Sequence, residues 1–284
     1  MKTVNSSNIK KILPKRNWAS NKTDGGSVLI IGGGSGFYGA GILAALAATR
    51  TGAGYTHLMS DLAKFPWVKF PDFIVHPIKL SELLGKENFT LAVGPGLGVT
   101  LKTKNILKTL IEKNYPQVVL DADALTLLSQ LKVKKLPSLW VLTPHEGELA
   151  RLLGVSAKEI KKNREAWLLC AQEKYGCIIL LKGAETLITD STQTIYKIKE
   201  GTPSLAKAGA GDVLLGIIAA MMAQKIPPLQ AAIVASFIHG KGAQLWEKEK
   251  NDHLSMRPLD LIDRLPKALY QLRRQSASPK VFRK

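Results

Sequence analysis

Cysteine is almost missing from this chain: Cys170 and Cys177 are the two among 284 residues. Two thiols without metal-ligand spacing exclude a disulfide scaffold and a zinc module, and read as ordinary residues of a reduced cytosolic protein. Aromatic residues are scarce, at 6%, and do not interleave with the basic ones as a base-stacking platform requires. Long apolar runs are missing too. The longest, near residues 40–48 and 213–223, fall far short of the roughly 18–20 residues that cross a bilayer. The polar, basic first 27 residues lack the apolar segment of a secretory signal. No G-x-x-x-x-G-K-[ST] occurs, which excludes a P-loop NTPase.

Acidic residues are outnumbered: 22 Asp and Glu stand against 40 Lys and Arg, a net charge of +18. The cations are scattered, as in "KVKK" at 132–135 and "KEIKKNR" at 158–164, rather than gathered into one stripe. Specific nucleic-acid binding is therefore not expected. Attraction of anionic metabolites is the more useful reading of the charge, with a basic proteome background as the plain alternative.

What is present is an alternation. Short continuous apolar runs ("SVLII", "YTHLM", "FTLAV", "QVVL", "CIILL") alternate with segments of helical period such as "TLKTKNILKTLIEK" and "NREAWLLCAQEKYG". Continuous rather than alternating apolar strands indicate an α/β fold with a mostly parallel central sheet and helices on both faces. "ETLITD" and "TIYKIK" read as a hairpin. Helices are expected at 212–223, 229–249 and about 258–273. No internal repeat and no linker divides the chain, so one domain is expected over 27–272. A polar basic lead-in precedes it at 1–26, and a basic tail follows at 273–284.

Ligands of such a sheet bind at the carboxyl ends of its strands, and five loops there carry suggestive residues. "GSGFYG" at 34–39 satisfies the dinucleotide fingerprint, with Asp61 at about the right distance beyond it; a glycine turn that lets its helix pack closely explains the match as well. "GPGLG" at 94–98 is equally ambiguous. In "TPHEGELARLLG", His145 and Glu148 lie on one face of a starting helix, where a capping box would also place them. Lys182 puts a cation at a strand end. In "AKAGAGDVLLGIIAAMMAQ", Gly209–Gly211 lets backbone N–H groups at a helix start converge on an anion. Asp212, poorly located for anion binding, fits a base for an attacking hydroxyl; a helix cap is the simpler alternative.

These motifs, in this order, resemble the ADP-dependent NAD(P)H-hydrate dehydratases, once called YjeF-related carbohydrate kinases, of the ribokinase-like superfamily. The resemblance runs from "LPKRNWASNKTDGG" through "GGGSGFYGAGILAALAATRTGAG", "AVGPGLG", "DADAL", "TPHEGELARLLG", "LKGAETLI", "AGAGDVLLGIIAAMMAQ" and "AAIVASFIHGKGA" to "DLIDRLP". It implies an enzyme that repairs the hydrated S-epimer of NADH and NADPH. The hydroxyl is phosphorylated by ADP, and loss of phosphate then restores the ring, releasing AMP. His145, where eukaryotic members carry Asn, implies ADP rather than ATP.

Carried over by motif, Ala40, Gly96 and His145 would line the hydrate site and Asp212 would face the hydroxyl. Lys182, Gly183, Ala184, Glu185 and Thr186, with Gly209, Ala210 and Gly211, would hold the nucleotide. Glu148 would help hold Mg²⁺ through water. A homo-oligomer, tetrameric by resemblance, a cytoplasmic location and a separate epimerase partner are implied; the epimerase domain fused in many bacterial members is expected to be absent, for want of room. Departures from the usual pattern are Asn21 for His, Thr202 for Asn, Ser204 for Gly, Leu205 for Met, Lys207 for Thr and Ala210 for Ser. Lys207 and Thr202 bear on nucleotide preference. The runner-up is a ribokinase-like kinase of a vitamin precursor or sugar. A non-catalytic nucleotide- or RNA-binding protein leaves Asp212 without a role.

Overall fold

Each continuous apolar run becomes a strand covered on both sides. The computed structural model describes residues 1–15, 18–64, 71–83, 85–131 and 133–274; the expected basic tail lies outside the described residues from 275 onward. Among the described residues ten strands form one sheet: β1 (Lys2–Thr3), β2 (Ser27–Ile31), β3 (Tyr55–Met59), β4 (Ile74–His76), β5 (Thr90–Val93), β6 (Val118–Leu120), β7 (Val141–Leu142), β8 (Ile178–Leu181), β9 (Thr186–Thr189) and β10 (Tyr196–Ile198). Their order is β1-β10-β9-β8-β7-β6-β5-β2-β3-β4. All neighbours run parallel except β9, which is antiparallel to β8 and β10. The expected hairpin is β9–β10.

Successive residues of a strand serve opposite faces. Val28 and Ile30 of β2 join one core, and Leu29 and Ile31 join the other. The first face is covered by α1 (Ser6–Ile12), α2 (Tyr38–Arg50), α8 (Ala210–Ala223), α9 (Pro228–Lys248) and α10 (Pro258–Arg274). The second is covered by α3 (Leu101–Glu112), α4 (Asp123–Ser129), α5 (Glu146–Leu153), α6 (Ala157–Lys162) and α7 (Arg164–Tyr175). At roughly 1.5–3 kcal/mol for each fully buried aliphatic side chain, these two layers dominate the fold's stability.

The polar lead-in carries structure of its own. Lys2–Thr3 pair with β10, and Asn5 caps α1 with a reciprocal box to Asn8. Ile9 and Leu13, one helical turn apart, are buried in the first core. Two apolar residues in so basic a stretch give too weak a period to be read from composition.

Two features position the site. The chain places β3 and β4 on one side of β2, then returns to place β5 and all later strands on the other. The loops after β2 and β5 therefore flank the topological switch point, where open α/β sheets bind ligands. Secondly, α2 and α8 pack in parallel at close range. A Cβ on Gly216 would lie 2.1 Å from the Ala44 carbonyl oxygen, and Gln224 Nε2 donates to the Thr51 carbonyl at 3.0 Å farther along. One turn back from Ala44 and Gly216 stand Ala40 and Asp212, so both helix starts face the switch point side by side.

Candidate active site

The turn after β6 is strained for a purpose visible in its neighbours. Ala122 has φ 49° and ψ −119°, a conformation costly for any residue with a Cβ. It separates two carboxylates that point to different tasks. Asp121, buried, accepts from Lys182 Nζ at 2.6 Å. Asp123 Oδ2 accepts from the Gly98 N–H at 2.8 Å and so holds the glycine loop after β5.

Lys182, just past β8, lies between two carboxylates: Asp121 at 2.6 Å and Glu148 at 3.5 Å. Burial pulls the ammonium's pKa down, but Asp121 and Glu148 outweigh it, and the net shift is upward. Lys182 is thus a fixed cation at the sheet's edge.

Glu148 and His145 form the capping box that spacing allowed. His145 Nδ1 accepts from the Gly147 N–H at 2.9 Å and from the Glu148 N–H at 3.3 Å, while Glu148 Oε2 accepts from the His145 N–H at 2.8 Å. With Nδ1 accepting, a neutral ring carries its proton on Nε2, and the side chain stays 56% exposed and open to a ligand. Capping occupies Nδ1, and Nε2 lies 3.6 Å from Glu148 Oε1 on the exposed ring.

The α8 start completes the constellation. Its N-cap is Gly209, at φ 92°, and no side chain caps the helix. Asp212 is the third helical residue, where a capping box would place it, but it makes no capping hydrogen bond here. Burial, Asp121 and Asp123 push the Asp212 pKa up to about 7 against the pull of Lys182. That value suits a general base near neutral pH. A Cβ on Gly211 would sit 3.6 Å from both Asp121 Oδ2 and Lys182 Nζ; the glycine keeps the space between the helix start and the charged pair open. His239, buried in α9, donates from Nε2 to the Ala210 carbonyl at 2.9 Å and braces the loop from behind. Its pKa is pulled down to about 4, first by burial, so it remains neutral.

Beside this cluster lies a cavity of about 460 Å³, a volume suited to a small-molecule ligand. Lys182, Gly183, Ala184, Thr186, Ala210 and Gly211 line it, as do Thr202 and His239. Thr202 Oγ1 is buried there without a protein partner, a hydroxyl left for a ligand. Two residues expected with this group stand apart. The Glu185 carboxylate is turned outward to Lys197 at 2.7 Å, and Gly209 shapes the turn without lining the cavity. Lys207 also points elsewhere, donating to the Leu254 carbonyl at 2.7 Å.

Ala40 and Gly96 meet on the other side of α8. A Cβ on Gly96, at φ 55°, would come within 3.2 Å of the Ala40 Cβ and 2.6 Å of the Phe37 Cβ; only glycine lets the β5 loop approach α2 so closely.

Sequence reasoning assigned no task to Asp121, Asp123, Arg164 or His239. The two aspartates lie within "DADAL", where a doubled acid at a strand end was the available signal. Arg164 donates to the carbonyls of Glu185 at 2.7 Å and Lys182 at 3.1 Å, with Glu146 Oε1 3.1 Å from Nε. The Nε–H is not aligned on that oxygen, so this last contact is an ion pair and not a hydrogen bond. Nothing in "NREAW" distinguishes this Arg from a surface one.

The donor set suits a hard divalent cation carried by a ligand's phosphates. Asp121 and Glu148 offer oxygens, Lys182 already neutralises part of their charge, and no group of three or more metal-ligating side chains occurs among the described residues. Mg²⁺ bound through one or two carboxylates, water and phosphate needs no more than this.

Comparison with known proteins gives a consistent result. The sequence profile of the NAD(P)H-hydrate dehydratases matches residues 28–267. A bifunctional NAD(P)H-hydrate repair enzyme, Nnr, of Coxiella burnetii is 39% identical over 244 residues, which are 84% of this chain and 49% of that protein. The Escherichia coli Nnr is 35% identical over 82% of this chain and 45% of its own length. The chain thus spans about half the length of the curated relatives it matches. The Bacillus subtilis ADP/ATP-dependent NAD(P)H-hydrate dehydratase, co-crystallised with ATP/Mg²⁺, superposes with a TM-score of 0.86 at 27% identity, covering 94% of this chain and 97% of that one. Hydroxyethylthiazole kinase of Pyrococcus horikoshii, at 16% identity and a TM-score of 0.57, shares the fold alone. No helix among the described residues is long and apolar enough to cross a membrane.

Proposed function

The chain belongs to the NAD(P)H-hydrate dehydratase family, and we propose that it dehydrates the S-epimer of hydrated NADH and NADPH at the expense of ADP. The observation that carries this reading is Asp212: a carboxylate raised to about 7, at an uncapped helix start, beside a fixed cation and a nucleotide-sized cavity.

The hydrated ring lies against Ala40 and Gly96, with the His145 Nε2–H within reach of its polar groups. The ADP base and ribose occupy the cavity lined by Gly183, Ala184, Thr186 and Thr202, and the phosphates run toward Lys182 and the N–H groups of Ala210 and Gly211. Asp212 takes the proton of the substrate hydroxyl as that oxygen attacks the terminal phosphorus. The phosphoryl group moves to the substrate, AMP leaves, and loss of phosphate with a ring proton restores the reduced nicotinamide. Backbone N–H groups and the helix dipole stabilise charge developing on the phosphoryl oxygens, in a geometry fixed by the buried length of α8. Glu148 and Asp121 would hold Mg²⁺ through water, and the ion would supply charge neutralisation on the phosphates.

Among the expected nucleotide ligands, Gly209 and Glu185 act indirectly, through the turn and the outer rim. A homo-oligomer, a cytoplasmic site of action and cooperation with an NAD(P)H-hydrate epimerase follow from the family reading; the curated relatives are bifunctional repair enzymes. The test is recovery of the near-ultraviolet absorbance of reduced nicotinamide from hydrated NADH, with ADP or ATP and Mg²⁺. Recovery with ADP, faster than with ATP, is expected. No recovery with either nucleotide, alongside phosphorylation of a vitamin precursor or sugar, would assign the chain to small-molecule kinases instead.

A further inference from the structure

The glycine turn of the amino-terminal dinucleotide-like motif packs beside Gly96 and Ala40, but Asp61, its acidic member, has no role in the chemistry above. "GSGFYG" and Asp61 match a fingerprint in which an acidic residue about 20 positions beyond the glycines meets the adenosine ribose. The β2–α2–β3 unit that carries them has the required parallel register, Ile31 opposite Met59. Asp61 follows β3 at its carboxyl end, and there it borders a second cavity of about 440 Å³.

Ser60, Asp61, Lys64, Pro77, Lys79 and Lys102 line this cavity. They come from the carboxyl ends of β3 and β4 and from the first turn of α3. Three of the lining residues are lysines against a single carboxylate, Asp61, which Lys64 meets at 3.1 Å. Lys79 and Lys102 give the space a net positive field, as a phosphate-bearing ligand requires.

A path of hydrogen-bonded backbone along the sheet's carboxyl edge joins the wall of this cavity to the active site. Ser60 Oγ donates to the Gly33 carbonyl. Gly33 and Gly34 donate in turn to Pro95 and Gly96, at 2.8 and 2.7 Å, and Gly96 adjoins Ala40. From β6, beside Asp121, to β3 and β4 is three to four strand steps, roughly 14–19 Å at about 4.8 Å per step. An extended dinucleotide covers that span, and a mononucleotide does not.

We infer that this second cavity seats the phosphate-bearing adenosine half of the hydrated dinucleotide, with Lys79 and Lys102 facing phosphate and Asp61 facing a ribose hydroxyl. The inference rests on the hydrated dinucleotide being the substrate of the Asp212 site.

The test compares wild type with the double variant Lys79→Ala/Lys102→Ala on hydrated NADH, hydrated NADPH and the hydrated reduced mononucleotide, which lacks the adenosine half. Both lysines are exposed, and a melting curve verifies that folding is retained. KM for both dinucleotide hydrates should rise by on the order of tenfold, the loss expected from charge-assisted contacts, with the change falling on KM rather than kcat. KM for the mononucleotide should not move. A larger rise with the NADPH hydrate assigns the lysines to the 2′-phosphate, and an equal rise assigns them to the pyrophosphate; either supports the inference. Unchanged dinucleotide KM, or an equal rise for the mononucleotide, overturns it. A wild type that turns over none of the three refutes the dehydratase reading itself. A fluorescence titration of wild type and the double variant with NADPH then decides this inference separately: affinity weakened about tenfold in the double variant supports it, and no loss of affinity overturns it.

Discussion

Asp212→Asn should make the protein more stable and nearly inactive, and the balance between the two is set by pH. Gly209, and not Asp212, is the N-cap of α8, so the substitution removes no cap. It removes a carboxylate whose pKa lies near 7 instead of 3.8, raised by burial, Asp121 and Asp123. A raised carboxylate destabilises the native state once ionised. Below about pH 4 native and unfolded chains both hold the proton and nothing is lost. From about pH 4 to 7 the unfolded chain releases it while the native state keeps it, so stability falls as pH rises. Above 7 the penalty is constant. About 3 pKa units at about 1.36 kcal/mol each give roughly 4 kcal/mol. Asp212 is only partly buried and is coupled to Asp121 and Lys182, so about half, roughly 2 kcal/mol, is the working figure. Asn never ionises. Its Tm should exceed that of wild type by about 4–8 °C at pH 8, and the gain should shrink toward pH 5. In the same samples kcat should fall by about 10²–10⁴, the usual loss of a general base. Differential scanning calorimetry at pH 5 and pH 8, with steady-state kinetics, measures both. A lower Tm at pH 8, or a gain independent of pH, refutes the electrostatic reasoning. A retained kcat refutes the base.

With Asp212 titrating near 7, kcat/KM of the wild type should fall about tenfold for each pH unit below 7; a rate flat from pH 5 to 8 would remove Asp212 from the proton transfer. Lys182→Met leaves Asp121 and Glu148 facing each other without a cation, and denaturant unfolding should show a loss of about 3–5 kcal/mol. The double variant Lys182→Met/Asp121→Asn should recover part of that stability, and no recovery would show that the charges are not the cause. Ala122→Gly relieves the φ 49°, ψ −119° turn and should stabilise by about 1 kcal/mol, net of the entropy glycine adds to the unfolded chain; a loss would mean the turn is unstrained. Arg164→Ala frees the carbonyls of Lys182 and Glu185, so isothermal titration should show ADP binding weakened about tenfold, whereas hydrate binding measured without nucleotide should be unchanged.

How much was legible follows from where each signal is stored. Strands β2, β5, β6 and β8 are continuous apolar runs because both their faces are covered, and that alone announces a parallel α/β sheet. Asp212 was legible because a single carboxylate before eleven apolar residues contradicts its surroundings. The short strand β1 and helix α1 were not, since their contribution rests on Ile9 and Leu13 in a basic stretch. Pairings between distant residues were the least accessible. Lys182 reaches back 61 positions to Asp121, and Arg164 reaches forward to a loop whose sequence names only its glycine and lysine.

His145 and Glu148 show why the remaining ambiguity was physical and not a failure of reading. Their spacing fits a capping box and a ligand site equally, and the structure makes the box while the His145 ring stays more than half exposed, with Nε2 3.6 Å from Glu148 Oε1 and Lys182 Nζ 3.5 Å from Glu148 Oε2. A helix start at the carboxyl edge of a parallel sheet must satisfy its own N–H groups and still present chemistry to the crevice. One pair of side chains can do both here, with Nδ1 taken by the helix N–H groups and Nε2 beside Glu148 Oε1 on an exposed ring. The two readings therefore exclude each other only at the level of a single atom. His145→Asn separates them: the amide oxygen can still cap α5, so Tm should change by less than about 1 kcal/mol equivalent, whereas a ligand role for Nε2 requires a shift in KM for the hydrate or in the preference for ADP. If Tm falls and both kinetic quantities stay fixed, His145 is a cap and nothing more.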